Sequence, residues 1–486
     1  MNTVAGHAQR DMTRPAAIAA AALIVFMLAS KMGAPVVLAL CAIAASCIIA
    51  WQSPSATLSI FFFALLAMDR DIQSMLPEGW KMIPVGGAQL RYSDPTLAAM
   101  VLVTGIRGYG VLLTRARRLD GLEVLTWAFA AVLGAYAFFG IGRHGIAAPG
   151  EMRTYYGVVL VVAYILASVR TTSDAVLCWN RLYWLGLALV AVSIWRGWVL
   201  HRLAIGPETR WITAHSNLAL NLACVVPLFV PRHALAGQLK ARPWTAWVIG
   251  GMALILTLIN PHRSVWLATS LSLAAIVLSG GLSVRRLLSY AGMVGAAAAV
   301  SALVVLSAGF ELDAFLQERL RPFTSGFYYD ANSAWRLGLW LEALVAVDDA
   351  GAWVFGLGFG QHFGLRDLGG EIIRTSPHNA YITVYYHMGL TGLALSLLWL
   401  GALTTRKRAL SDPSGILALA TLAACLGFSV AYPFPVFGLA LVAVAAVGAM
   451  RTTKGAPIDA ERWTPDPLRN LGHHSAGTRL PVRSDD

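Results

Sequence analysis

Charge is what this chain has least of. Only 13% of its 486 residues are Asp, Glu, Lys or Arg, against 57% hydrophobic, and its mean hydropathy is +0.63. A soluble domain that apolar has too few polar residues to cover its surface, so the sequence reads as an integral membrane protein. Its five cysteines (Cys41, Cys47, Cys178, Cys224, Cys425) lie in or beside apolar runs with no metal-ligand spacing, and read as small core hydrophobes. The chain has no Walker phosphate loop, no HExxH pair, no GxSxG elbow and no cluster of Cys or His ligands. Nucleotide hydrolysis and metal-centred chemistry therefore have no support, and neither a cofactor nor a metal is expected. Internal repeats are not evident either, which counts against the repeat-built secondary transporters.

What is present is a series of long apolar runs. At about 20 residues per crossing, the sequence from Pro15 to Met450 divides into roughly fourteen runs; Ala56 to Met68, Ile416 to Tyr432 and Val436 to Met450 are short, which leaves about 12 to 14 spans. The first run, behind Arg10 and Arg14, reads as an uncleaved span rather than a signal peptide. The expected architecture is an all-α polytopic membrane protein. Spans fill residues 1–310, a long loop follows at 311–377, further spans occupy 378–450, and a Pro- and Arg-rich tail at 451–486 is expected to be disordered.

The net charge is +12, with a sequence pI near 9.7. In a soluble protein that balance would suggest nucleic acid; here the basic residues fall in short loops, where they set orientation. With the N-terminus in the cytoplasm, the even-numbered exits carry Arg115 to Arg118, the Arg170 to Arg181 segment, Arg232 to Arg242, Arg285 with Arg286, Arg406 to Arg408 and the tail after Arg451. The opposite face receives Asp69 to Asp94, His201 to Ile212, the turn Asn260 to Ser264 and the loop Glu311 to Pro377. Arg210, Arg263 and His378, far apart in sequence, thus share the non-cytoplasmic face. Two arginines at span ends against the orientation rule suggest an anionic ligand.

The long loop contains ELDAFLQERLRPF and SAWRLGLWLEALVAV, both with apolar residues at helical spacing, so two helices are expected there, one along the interface. GLGFG (Gly356, Gly358, Gly360) follows, a strip whose backbone can pass close to another surface. His378, with an ordinary pKa of about 6.5, suits proton abstraction from an alcohol near neutral pH; the plainer reading is a histidine that caps a span. Asn379 can orient that ring, bind a hydroxyl or cap the next helix. Arg210 and Arg263 are forked donors matched to a diphosphate, or else snorkel to the interface. Arg336, Arg366 and Arg374 read as solvated loop cations, and Asp69 with Asp71 as solvated carboxylates at a span boundary.

Together these pieces resemble the O-antigen ligase and polymerase superfamily of bacterial envelopes. Arg336 and Trp340 in R-x-x-x-W, GLGFG, His378–Asn379, and GLTG (Gly389 to Gly392) carry the resemblance. TRWITAHSN (Arg210, Asn217) and NPHRSVWLA (Arg263) fit upstream, although His262 stands where the family pattern has a small residue. The likeness extends from about Arg210 to Gly392. It implies a GT-C-type inner-membrane glycosyltransferase, metal-independent, with an undecaprenyl-diphosphate-linked glycan as donor and a glycan or lipid A-core hydroxyl as acceptor at the periplasmic face. Arg210 and Arg263 would grip the diphosphate, His378 would activate the acceptor, and Asn379 with the glycine strip would shape the site. Ligase and polymerase share these motifs. Further partners would be the bilayer and other polysaccharide-assembly proteins. A polysaccharide or solute transporter or flippase, and an envelope scaffold, are the readings from other classes.

Overall fold

The computed structural model describes residues 34–72, 83–85, 88–114, 121–145, 148–201, 211–230, 243–260, 262–279, 284–307, 313, 317, 331–360, 365–366, 372–373, 377–404 and 413–452. Outside them lie the expected first span, Arg210, the basic clusters 115–118, 232–242 and 406–408, Arg374, all but two residues of the first loop helix, and the tail.

The described apolar runs form helices near their expected bounds. These are α1 (Ala34–Gln52), α2 (Pro54–Phe62), α3 (Asp94–Thr114), α4 (Gly121–His144), α5 (Ala148–Ser168) and α6 (Thr172–His201). There follow α7 (Ala214–Leu220), α8 (Val226–Phe229), α9 (Pro243–Ile259), α10 (Arg263–Leu278), α11 (Val284–Ser307) and α12 (Ala331–Asp349). The series ends with α13 (Ala380–Ala402), α14 (Pro413–Ser429) and α15 (Val436–Thr452). Two short antiparallel hairpins, β1 (Ile83–Val85) with β2 (Ala88–Leu90) and β3 (Leu365–Arg366) with β4 (Ile372–Ile373), punctuate the connections. Among the described residues, three helices are long and apolar enough to cross a membrane, within α4, α6 and α13, and shorter apolar helices of 10–17 residues accompany them. Large apolar side chains face outward on this bundle, Phe138, Trp198, Leu278 and Leu398 among them, as lipid contact requires.

Three local features depart from the sequence reading. The Arg170 to Arg181 stretch is not a loop, because α6 begins at Thr172. Asp174 accepts the Arg170 and Thr171 amides while its own amide donates to Thr171 Oγ1, a reciprocal cap strong enough to start a helix in a polar stretch. The helix after Ala214 is not regular: a π-helical turn at Asn221–Val225 separates α7 from α8, where Pro227 supplies no N–H. A second π-helical segment, Phe63–Ile72, extends α2.

α15 runs through the middle. Leu439 to Ala445 are fully buried, and the helix packs on α5, α6 and α14. It is apolar all round because it has no solvated face.

α13 is broken. Gly389 has φ 61° and ψ −159°, outside helical space, so the carbonyls and amides around it lose their intrahelical partners. Residues 353–358 replace them. Leu357 N donates to Tyr386 O at 2.8 Å, Gly358 N to His387 O at 3.0 Å, Leu390 N to Trp353 O at 2.9 Å and Thr391 N to Val354 O at 3.1 Å. The approach is so close that a Cβ on Gly356 would strike the His387–Met388 backbone, and one on Gly389 would strike Val354. Gly356, Gly358 and Gly360 all have positive φ.

A substitution pair isolates this contact. Gly351→Ala, at φ 61° with open space around it, should cost only the left-handed strain of about 1 kcal/mol. Gly356→Ala adds backbone overlap and should cost at least about 3 kcal/mol. Thermal unfolding of the two variants in detergent tests the difference.

Candidate functional site

Two of the residues singled out in the sequence, Arg263 and His378, stand at one end of the bundle. Asp71 at the end of the extended α2, the N-terminal ends of α7, α10 and α13 and the C-terminal end of α14 are joined there. Thr213 N donates to Asp71 Oδ1, His262 Nε2 to Ile212 O, and Tyr381 Oη to Leu426 O at 3.0 Å; the His215 and Phe428 rings meet at 5.0 Å. Arg263 and His378 stand at two of these helix starts, where the positive ends of the helix dipoles also favour anions.

His378 is the one non-glycine residue with positive φ among the described residues, at 53°. Its neighbours hold it there. Trp340 Nε1 on α12 donates to Pro377 O at 2.7 Å, and on the other side Asn379 caps α13, its Oδ1 accepting the Tyr381 and Ile382 amides at 2.9 and 3.1 Å. Thr383 Oγ1 donates to Asn379 O at 2.6 Å. Of the three roles open to Asn379, the structure gives it capping. Left-handed backbone at a non-glycine residue survives only where surrounding contacts over-determine it, and such residues cluster at functional sites.

The half-buried His378 ring faces Trp335 at 5.8 Å and the edge of Tyr432 at 6.4 Å. The Arg336 guanidinium lies 5.3 Å from the Tyr432 ring centre and donates to Ala431 O at 3.3 Å. Arg336 is therefore a part-buried cation beside the histidine, not the solvated loop residue expected. Burial and, after it, the Arg336 charge both push the His378 pKa below 6.5. Both effects favour the neutral ring, the form able to accept a proton.

Sequence reasoning missed Tyr432 and His215. Tyr432 stacks on Phe428 at 4.8 Å and meets His215 at 5.7 Å, so one phenol touches both histidines and Arg336. The signal was the YPFP interruption between the last two apolar runs, and a histidine inside TRWITAHSN.

Asn217 is a completely buried interior residue. Its Oδ1 accepts from Asn221 Nδ2 at 3.1 Å and Thr257 Oγ1 at 2.7 Å, a polar knot beside the π-helical turn rather than part of the His378 group. The glycine strip completes α13, one turn or more beyond His378, and His387 Nδ1 donates to Gly358 O at 2.8 Å. Arg366 lies in β3; its side chain is outside the described residues, as is Arg210.

Asp69 and Asp71 correct the expectation of solvated carboxylates, for both are buried. Asp69 accepts the Tyr92 and Ser93 amides and the Ser93 hydroxyl ahead of α3. Asp71 accepts the Thr213 amide at 2.9 Å and lies 3.5 Å from Arg196. Backbone donors and a cation offset the burial cost that a span boundary alone does not reveal.

Histidine-selective NMR checks the electrostatics. In wild type the His378 midpoint should lie below 6.5, and Arg336→Gln should move it upward while burial still holds it under 6.5. Compared with known proteins, the chain matches no family model and no curated protein.

Proposed function

We propose that the chain is a membrane glycosyltransferase that moves a glycan from undecaprenyl diphosphate to an acceptor hydroxyl, in the manner of the O-antigen ligases and polymerases. The observation that carries this reading is His378: an imidazole biased toward its neutral form, strained into left-handed backbone, beside a permanent cation and two aromatic rings at one end of an apolar helical bundle. In the proposed reaction His378 takes the proton of the acceptor hydroxyl. The oxygen attacks the anomeric carbon, the bond from that carbon to the diphosphate oxygen breaks, and the configuration inverts. Arg210 and Arg263 bind the departing diphosphate, whose charge needs compensation but no protonation. Trp335 offers a ring beside His378 against which a sugar can rest. Positioning of the two substrates supplies the remaining acceleration.

On this reading the protein is a GT-C-like enzyme with about 12 to 14 crossings. It sits in the bacterial inner membrane with both termini cytoplasmic and the site periplasmic, and works without metal.

Transport is a second reading, favoured by the break in α13, because discontinuous helices hold substrates and ions in many transporters. Against it, residues 353–358 hydrogen-bond across the break, the Tyr386, His387, Trp353 and Val354 carbonyls each accepting a backbone amide.

A deletion strain complemented with wild type, Arg210→Ala, Arg263→Ala or His378→Ala at matched membrane levels decides between them. Each variant should lower glycan transfer by about a hundredfold or more, as removal of a general base or a charge-stabilising group does. Single repeat units persisting on the extracted lipid identify a polymerase, and long chains left on the carrier identify a ligase. Normal glycolipids in all three variants would reject the site.

A further inference from the structure

We infer that Asp71 is a positioning residue, the centre of a clamp that fixes the backbone immediately after Arg210 against the turn that carries Arg263. Only its last consequence rests on the transferase reading.

The segment is residues 211–213, which has no regular structure of its own and so depends on side chains for its hydrogen bonds. Three groups from elsewhere supply them, and a fourth, Arg196, backs one of the three. Asn260 Oδ1 accepts the Trp211 amide at 2.8 Å and is 3.4 Å from the Ile212 amide. His262 Nε2 donates to Ile212 O at 2.8 Å. Asp71 Oδ1 accepts the Thr213 amide at 2.9 Å. Arg196 lies 3.5 Å from the same carboxylate oxygen. Asn260 is itself held, its Nδ2 donating to Leu256 O at 2.7 Å.

The Trp211 side chain is seated by the same helix that bears Arg196. A Cβ on Gly197 would come within 2.7 Å of the indole, so a glycine there leaves the space the ring occupies. The clamp therefore joins three separate parts of the chain: the end of the extended α2, the last turns of α6, and the α9–α10 turn. Asn260 and His262 precede Arg263 by three residues and one. Two of the groups that hold the segment after Arg210, Asn260 and His262, thus sit on the same turn as Arg263.

Asp71 is fully buried, and a charge in that position is unfavourable unless it performs a task that an apolar residue cannot. Accepting the Thr213 N–H needs only an oxygen in place. Asparagine keeps that oxygen and alanine removes it.

Hydrogen exchange on the full-length protein in detergent, read on peptides covering 211–216, tests the clamp without reference to activity. In Asp71→Ala, exchange of this segment should accelerate at least about tenfold, while Asp71→Asn should stay within about threefold of wild type. Peptides from α15 report whether the fold is intact. Unchanged exchange in Asp71→Ala, with α15 protected, overturns the inference; so does equal acceleration in the asparagine variant. Glycan transfer is then assayed in the same variants. Loss in Asp71→Ala with recovery in Asp71→Asn adds the functional consequence. A clamp that loosens as expected in a protein whose wild type transfers no glycan supports the clamp and removes the transferase reading alone.

Discussion

In a bilayer, a helix cannot be interrupted unless something else satisfies the backbone groups that the interruption frees. α13 is interrupted at Gly389, and the segment Trp353 to Gly358 runs beside the gap with its own amides and carbonyls in register. Glycine on both sides makes that possible: Gly356 and Gly389 let two backbones meet at a separation that any Cβ would prevent. The remainder of the loop-side architecture hangs from this contact. α12 packs through Leu339, Ala343 and Val347 against Tyr386, three residues before the break, and the same helix delivers Trp335, Arg336 and Trp340 to the start of α13.

The two ends of α13's first half are therefore fixed by different means. At its start, a tryptophan N–H, an asparagine cap and a left-handed histidine determine where one imidazole stands. At its finish, backbone meets backbone. Between them lie two turns of helix whose orientation has little freedom, which is what a catalytic side chain needs from its support. Tyr432 does the equivalent work laterally, linking His378, Arg336 and His215 through one ring in the turn between α14 and α15.

Much of this was legible in the residues because apolar length and turn chemistry are local properties. Most described runs became helices near their bounds, although those at Ala148 and Thr172 begin well before the apolar stretch, and the HNAY sequence at 378–381 announced a capped helix start. The glycine strip announced a close approach but not its object, since nothing local to GLGFG names the break at Gly389. Asp69 and Asp71 were misread for the same reason. MDRD beside an apolar run looks solvated, and only the arrival of Thr213, Arg196, Tyr92 and Ser93 from distant stretches makes it interior. Tyr432 and His215 acquire meaning only through one another.

The buried course of α15 bears on how the protein is made. Of the described helices it is the last to leave the ribosome, yet Leu439 to Ala445 form the interior against which α5, α6 and α14 pack. Until α15 has been made, α5, α6 and α14 lack the helix that covers their inner faces, although pairs such as α1 with α3 and α4 with α5 can already pack. Closure of the α5, α6 and α14 faces on α15 is accordingly a late step, and the partly made chain exposes those faces until then.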